Sequence, residues 1–460
     1  MKKYYLLVLA IPFMLLSCKQ GKSKTVAQEV VKDVATTPET ALHDYLNNGD
    51  NTMAWEVKDT IPLPGAKAYD LLLTSQEWRG HIWKHQLTIV VPDTIKHEGA
   101  LLFITGGRLQ DGLPKWSDIN HKKNRGHIKA AVDNQAILAI IRQVPNQPLY
   151  GGLVEDQLIS YTLHQFKNDK DYTWPLLFPM VKSATKAMDA VQEFAINRLG
   201  KTVDGFTVSG ASKRGWTTWL AGASDKRAIA LAPMVIDVLN MPVSLQYHLE
   251  AWNEYSIQIQ DYTKLEIPQS VSSPDGKAIT TMIDPYSYRK NFSTKPKMIF
   301  IGTNDEYWPV DAIKHYIDEI PGENYIHYVP NAGHGLGDGV SAMNALSAFW
   351  GHTLAGKEYP GLTYQIQANG TSATLQVAPS ENELVGSYLW LADSDDRDFR
   401  DEEWTSTPLK LNKDNRVEET VPYPKEGYKA FYIDLEYQTP AGNKYTKSTR
   451  MYLVDSDEIL

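Results

Sequence analysis

The chain of 460 residues contains one cysteine, Cys18, so no disulfide can form within it and its folded state must rest on burial and hydrogen bonding. No His-Glu-x-x-His segment occurs and the 12 histidines are scattered, which removes the usual sequence signs of a metal centre; no metal or other cofactor is expected. Positive charge is scarce: 46 lysines and arginines face 55 acidic residues, the net charge is -9, and no basic stripe offsets it. That balance argues against nucleic acid as a partner. Long apolar runs are absent too, since the stretch from Tyr4 to Leu16 is too short to span a bilayer. No internal repeat of solenoid or propeller type is evident. What is present, 42% hydrophobic and 22% charged residues, suits an ordinary globular protein long enough to bury a large core.

The lone cysteine closes an amino-terminal address. Lys2 and Lys3 supply a positive start, Tyr4 to Leu16 an apolar centre, and Leu15-Leu16-Ser17-Cys18 reads as a bacterial lipobox. The expectation is a signal peptide over 1–17, acylation of Cys18, and a polar tether over 18–37 holding the mature protein to a membrane of the cell envelope.

The segment Phe206-Thr207-Val208-Ser209-Gly210-Ala211-Ser212-Lys213-Arg214-Gly215 reads as a strand that delivers a serine onto a sharp turn before a helix. It departs from the G-x-S-x-G pattern, because Arg214 stands two places after the serine and the glycine follows one residue later. Downstream come an acid and a base in the order that an α/β-hydrolase fold requires. Asp305 lies in the loop after the apolar strand Lys297 to Ile301, and His334 lies between glycines after the strand Tyr325 to Val329. Such an imidazole can take the serine proton near neutrality while Asp305 fixes its tautomer. Asp237, at the end of the preceding strand, is the rival acid, and Asp311 reads as a helix cap. The Lys213 N–H is the first expected oxyanion donor, with the second from Gly106 or Gly107 after the strand Ala100 to Thr105.

Around that centre, Trp308 is expected to line the substrate pocket. Arg214 reads as a structural ion pair beneath the turn, with substrate contact as the alternative. Glu155 and Asp156 open a helix, where carboxylates meet its dipole favourably; the sharper alternative is that they grip a substrate ammonium.

Alternating strands and helices from 38 to 359 predict a doubly wound, mostly parallel sheet, with an insertion of about 241–292 lying over the catalytic edge as a cap. Its Trp252, Tyr255, Tyr262, Tyr286 and Tyr288 face either substrate or one another. After Pro360 short alternating strands replace this rhythm, predicting a β-sandwich-like domain over 360–460. Its acidic loop from Asp393 to Asp398 is read as solvated rather than as a calcium site.

Several segments resemble the PhoPQ-activated pathogenicity-related protein family, whose members include an autocrine proliferation repressor. They are Ser75-Gln76-Glu77-Trp78, Phe103-Ile104-Thr105-Gly106-Gly107, Glu155-Asp156-Gln157-Leu158, Trp174-Pro175-Leu176-Leu177-Phe178-Pro179-Met180, Gly210-Ala211-Ser212-Lys213-Arg214-Gly215-Trp216, and Asp398-Phe399-Arg400 with Trp404. The resemblance implies an α/β-hydrolase fold with a trailing β-domain and a link to envelope stress or antimicrobial-peptide resistance. The serine turn is also similar to that of glucuronoyl esterases, in which a basic residue after the serine helps hold the oxyanion; Lys213 is the matching group. The resulting expectation is a serine hydrolase acting on an ester or amide of a small molecule, peptide or carbohydrate. Its alternatives are a dipeptidyl-peptidase-like or glucuronoyl-esterase-like enzyme and a catalytically silent binding or signalling protein.

Overall fold

A strand that is apolar at every position is stable only where both faces of its sheet are covered, and Met298-Ile299-Phe300-Ile301 is such a run, buried throughout. Side chains alternate across a strand, so Ile299 and Ile301 enter one core while Met298 and Phe300 enter the other. The computed structural model describes residues 35–379, 384–414 and 416–460, with 1 and 3. The expected signal segment, the lipidation site Cys18 and nearly all of the tether therefore lie outside the described residues.

Nine strands build the central part of the sheet: β1 (Ala54–Leu63), β2 (Ala66–Trp78), β3 (His81–Pro92), β4 (Gly99–Ile104), β5 (Leu138–Ile141), β6 (Gly205–Ala211), β7 (Ala228–Met234), β8 (Lys297–Gly302) and β9 (Asn324–Val329). Their spatial order is β1-β2-β3-β5-β4-β6-β7-β8-β9. The first three run antiparallel, β3 meets β5 antiparallel, and every pair from β5 to β9 is parallel. The helices Leu177–Phe194 and Lys213–Ser224 pack on one face, and Arg125–Asn134 and Val340–Leu354 on the other. This is the α/β-hydrolase fold, and it brings the carboxyl ends of β6, β8 and β9 to one rim. Between β7 and β8 the expected insertion is helical, with Met241–Trp252 and Pro274–Ile283 as its longer elements.

Beyond Pro360 the chain is rich in sheet, but its strands do not stand apart from the hydrolase part. Lys444–Ser448 joins β9 antiparallel at Ile326↔Ser448, and Tyr428–Gln438, Gly386–Ser394 and Thr405–Pro408 follow outward in the same sheet. A second sheet of Leu362–Ala368, Ser372–Pro379 and Val417–Pro422 adds Leu375, Val377 and Val421 to the core that holds Phe431, Ile433 and Leu435. Lys444–Ser448 and Tyr452–Val454 are two separate strands. Ser448 pairs with Asp434 and Tyr452 with Phe431, so four steps on one side face three on the other, which is a bulge. Thr449 fills the gap by accepting the Ile433 N–H on its hydroxyl and donating its own N–H to the Ile433 carbonyl.

Candidate active site

Ser212 caps the helix that follows β6 and holds φ 59°, ψ −127°, a strained conformation for a residue with a Cβ. The strain is sustained by the chain on both sides: the Ser212 N–H donates to the Met234 carbonyl (2.8 Å) and its own carbonyl accepts from Trp216 N–H (2.9 Å). The late glycine of the motif now has a reason. A Cβ at Gly215 would stand 2.7 Å from the Met234 carbonyl oxygen and 3.0 Å from that of Gly210, so position 215 is where helix, β6 and β7 touch.

His334 donates through Nδ1–H to both oxygens of the Asp305 carboxylate, at 3.0 and 2.9 Å. The Asp305 carboxylate also accepts the Tyr307 N–H at 2.9 Å, which fixes its plane. The His334 backbone N–H donates to Glu306 (2.8 Å), and the Tyr307 ring stacks on the imidazole with centroids 4.0 Å apart. Nε2 of His334 is buried and carries no hydrogen bond, which leaves it open to a substrate-side group. Asp237, the rival acid, is fully buried elsewhere, and burial, with Asp305 and Asp311 nearby, pushes its carboxyl up to about 7. Asp311 does stand before a short helix, yet its carboxylate accepts from Tyr247 Oη (2.8 Å) and Lys314 Nζ (2.8 Å) instead of capping the helix.

The two basic residues after Ser212 are committed to carboxylates. Lys213 Nζ lies 3.1 Å from Glu155 and 3.0 Å from Asp156, and Arg214 meets both oxygens of Glu155 at 2.8 Å. Arg214 Nε also donates to the Val144 carbonyl, and Tyr262 Oη donates to Asp156 at 2.9 Å. Burial alone would raise the Glu155 carboxyl, but the bonded Arg214, with Lys213 and Gln147, holds it down at about 2. The two acids also stand in the first turn of the helix Glu155–Asp169, as expected, so these contacts add to a favourable helix dipole. They also turn the Lys213 ammonium toward carboxylates. Its N–H, at the first position of the helix, has no acceptor within that helix. Nearby, a Cβ at Gly106 would lie 2.5 Å from the Arg214 guanidinium, so the loop after β4 runs directly beside the serine turn. The Gly106 and Gly107 carbonyls accept from Gln143 N–H (3.1 Å) and Gln147 Nε2 (3.1 Å), which fixes that loop.

Ser212, Lys213, Asp156, Tyr307 and Trp308 share the wall of one cavity, so Trp308 stands where it was expected. Of the five aromatics singled out in the insertion, Tyr262 lines it. The others serve the cap itself: Tyr288 Oη donates to the Met282 carbonyl, Tyr286 Oη to Glu319, and Trp252 and Tyr255 pack on His248. Sequence reasoning passed over Asn304, Glu306, Tyr307 and Asn331. The first three flank Asp305 and the last shares the loop of His334, so proximity was the one signal available for them.

The autocrine proliferation repressor protein A of Dictyostelium discoideum is 28% identical over 448 residues, covering 90% of this chain and 89% of the relative. Among solved structures, acetyl xylan esterase 1 from Thermoanaerobacterium sp. JW/SL YS485 is similar with a TM-score of 0.45 and 18% identity, over 65% of this chain and 90% of the esterase. A glucuronoyl esterase from Solibacter usitatus gives a TM-score of 0.36 and 12% identity, over 60% and 76%. Residues 42–400 match the PhoPQ-activated pathogenicity-related protein description, and the chain belongs to that family.

Proposed function

We propose that the chain is a serine hydrolase of the bacterial cell envelope, held there by a lipid on Cys18, which cleaves an ester or amide through an acyl-enzyme. Ser212 Oγ attacks the carbonyl carbon while His334 Nε2 takes the hydroxyl proton, and Asp305 on Nδ1 stabilises the resulting imidazolium. The carbonyl oxygen becomes an oxyanion facing the Lys213 N–H and an N–H from Gly106 or Gly107. Loss of one such donor costs about 3 kcal/mol in the transition state. The imidazolium returns its proton to the departing alcohol or amine, and water then repeats the sequence on the acyl-enzyme.

The observation that carries this reading is Tyr307, which lines the cavity together with Ser212 and stacks on His334, so that one ring joins the cavity of the strained serine to an imidazole whose Nε2 has no hydrogen bond. The pairing of Glu155 and Asp156 with Lys213 and Arg214 weighs against a dipeptidyl peptidase, which needs acids free for an ammonium. Incubation with a fluorophosphonate followed by peptide mapping tests the nucleophile: label is expected on Ser212 and absent from Ser212→Ala. An unlabelled Ser212 in folded protein counts against the proposal. Palmitate incorporation that disappears in Cys18→Ser tests the anchor. The family description links the protein to pathogenicity-related regulation, and the relative's name to growth repression. A Ser212→Ala protein with full biological activity would favour a signalling role over an enzymatic one.

A further inference from the structure

The cavity that begins at Ser212 has a composition that narrows the substrate. Its volume is about 80 Å³, and away from the serine its wall is built of Leu163, Trp216, Val238, Leu245, Ile279 and Ile283, with the insertion as its roof. Trp216, Val238 and Ile279 keep 6%, 4% and 3% exposure, whereas core side chains such as Leu102 and Val208 have none, so these residues face open space rather than one another. Among the polar groups on the wall, the Trp308 indole N–H is buried without a hydrogen bond, while others are already engaged. Asp156 is bonded to Lys213 and Tyr262, and the Trp216 indole N–H donates to the Ile283 carbonyl. A sugar or a charged side chain placed deep in this space would lose its water and find few partners.

We propose, resting on the serine-hydrolase reading, that this cavity is an acyl pocket for a short, unbranched acyl group, and that the substrate is an ester of such an acid. The chain fits on the acyl side for a kinetic reason. An alcohol seated beneath the insertion would be trapped behind the acyl-enzyme, while an acyl chain can stay in place through both steps as the alcohol leaves and water enters at the mouth.

The test uses the full chain, a fluorophosphonate and a series of p-nitrophenyl esters from acetate to decanoate, in which the leaving group is constant. Each methylene taken from water into an apolar wall is worth up to about fourfold in kcat/KM. The expected profile therefore climbs from acetate to about butanoate and falls once the chain outgrows the cavity. Ile279→Trp and Leu245→Trp, on separate helices of the insertion, are each expected to move the optimum to shorter chains and to lower the butanoate-to-acetate ratio by about fivefold or more. If Ser212 is labelled but the profile is flat or falls from acetate, the acyl pocket is wrong and the hydrolase reading stands. If both folded variants leave the profile unmoved, the pocket is likewise wrong. An unlabelled Ser212 without hydrolysis removes the parent reading instead. Should either variant fail to fold, the wild-type chain-length profile decides.

Discussion

Asp305 and Asp237 both follow the carboxyl ends of neighbouring strands, and Asp305 is the acid placed first from the sequence. The difference is made by what surrounds them. Asp305 is held between the Tyr307 N–H and the imidazole, whereas the Asp237 carboxyl is buried in the core beside Tyr316 and makes no hydrogen bond to His334. Asp305→Asn is therefore expected to lower kcat by about three to four orders of magnitude, because an amide favours the wrong tautomer. Asp237→Asn should change it little, and p-nitrophenyl ester kinetics on both variants checks the assignment. Asp237 also makes a pH prediction. Its folded value is raised from the ordinary 3.8 to about 7, so folding favours its protonated form. The stabilisation is fully present below pH 3.8 and is lost as pH rises toward 7, since the unfolded chain ionises first. Thermal melts should show Asp237→Asn gaining on the wild type between pH 4.5 and pH 8, and parallel curves would refute the shift. Thus the strand-end positions of Asp305 and His334, with Asp305 placed ahead of Asp237, were legible from residue type and order, while the hydrogen bonds that hold the Asp305 carboxylate were not, because they depend on tertiary contacts.

At the scale of elements, legibility followed burial. The strands β4, β7 and β8 are apolar on both faces and stand out in the sequence, as does the helix Leu177–Phe194 with its apolar stripe. Thr405–Pro408 and Val417–Pro422 were missed for the opposite reason. The first is exposed at every residue, and the second buries Val417 and Val421 but carries Glu418, Glu419 and Thr420 between them. The serine turn was visible as a motif, but its displaced glycine made sense only once the neighbouring strand was in place. A methyl group at 215 must push the Met234 carbonyl, which itself accepts the Ser212 N–H. Gly215→Ala should accordingly cost about 1–3 kcal/mol and slow fluorophosphonate labelling as the serine is displaced. Gly335→Ala, where an added Cβ meets nothing within 4 Å, is the control and should leave labelling close to wild type.

On the scale of the whole molecule, the carboxyl-terminal region reaches back to the two loops that carry the proposed acid and base. Asn304, beside Asp305, donates to the carbonyls of Phe399 (3.2 Å), Arg400 (3.3 Å) and Glu402 (2.7 Å). Asn331, in the loop of His334, donates to the Trp404 carbonyl (2.9 Å) and accepts its N–H (2.8 Å). Arg400 lies over the Trp252 ring of the insertion at 4.2 Å, so the same short segment touches the cap as well. This gives a physical role to Asp398-Phe399-Arg400 and Trp404, which the sequence marked by resemblance alone, and the family match ends at 400, within this segment. The region acts as a brace on the catalytic rim as well as an extension of the sheet. Asn331→Ala removes a donor and an acceptor, leaving the Trp404 N–H and carbonyl without partners, and should cost about 1–3 kcal/mol. A brace makes a sharper demand than a stability loss. Assayed well below its melting temperature, Asn331→Ala should lose kcat with little change in KM, because the imidazole wanders while the apolar pocket is untouched. If kcat is unchanged under those conditions and falls only near the melting temperature, the contact serves folding alone and the brace is disproved.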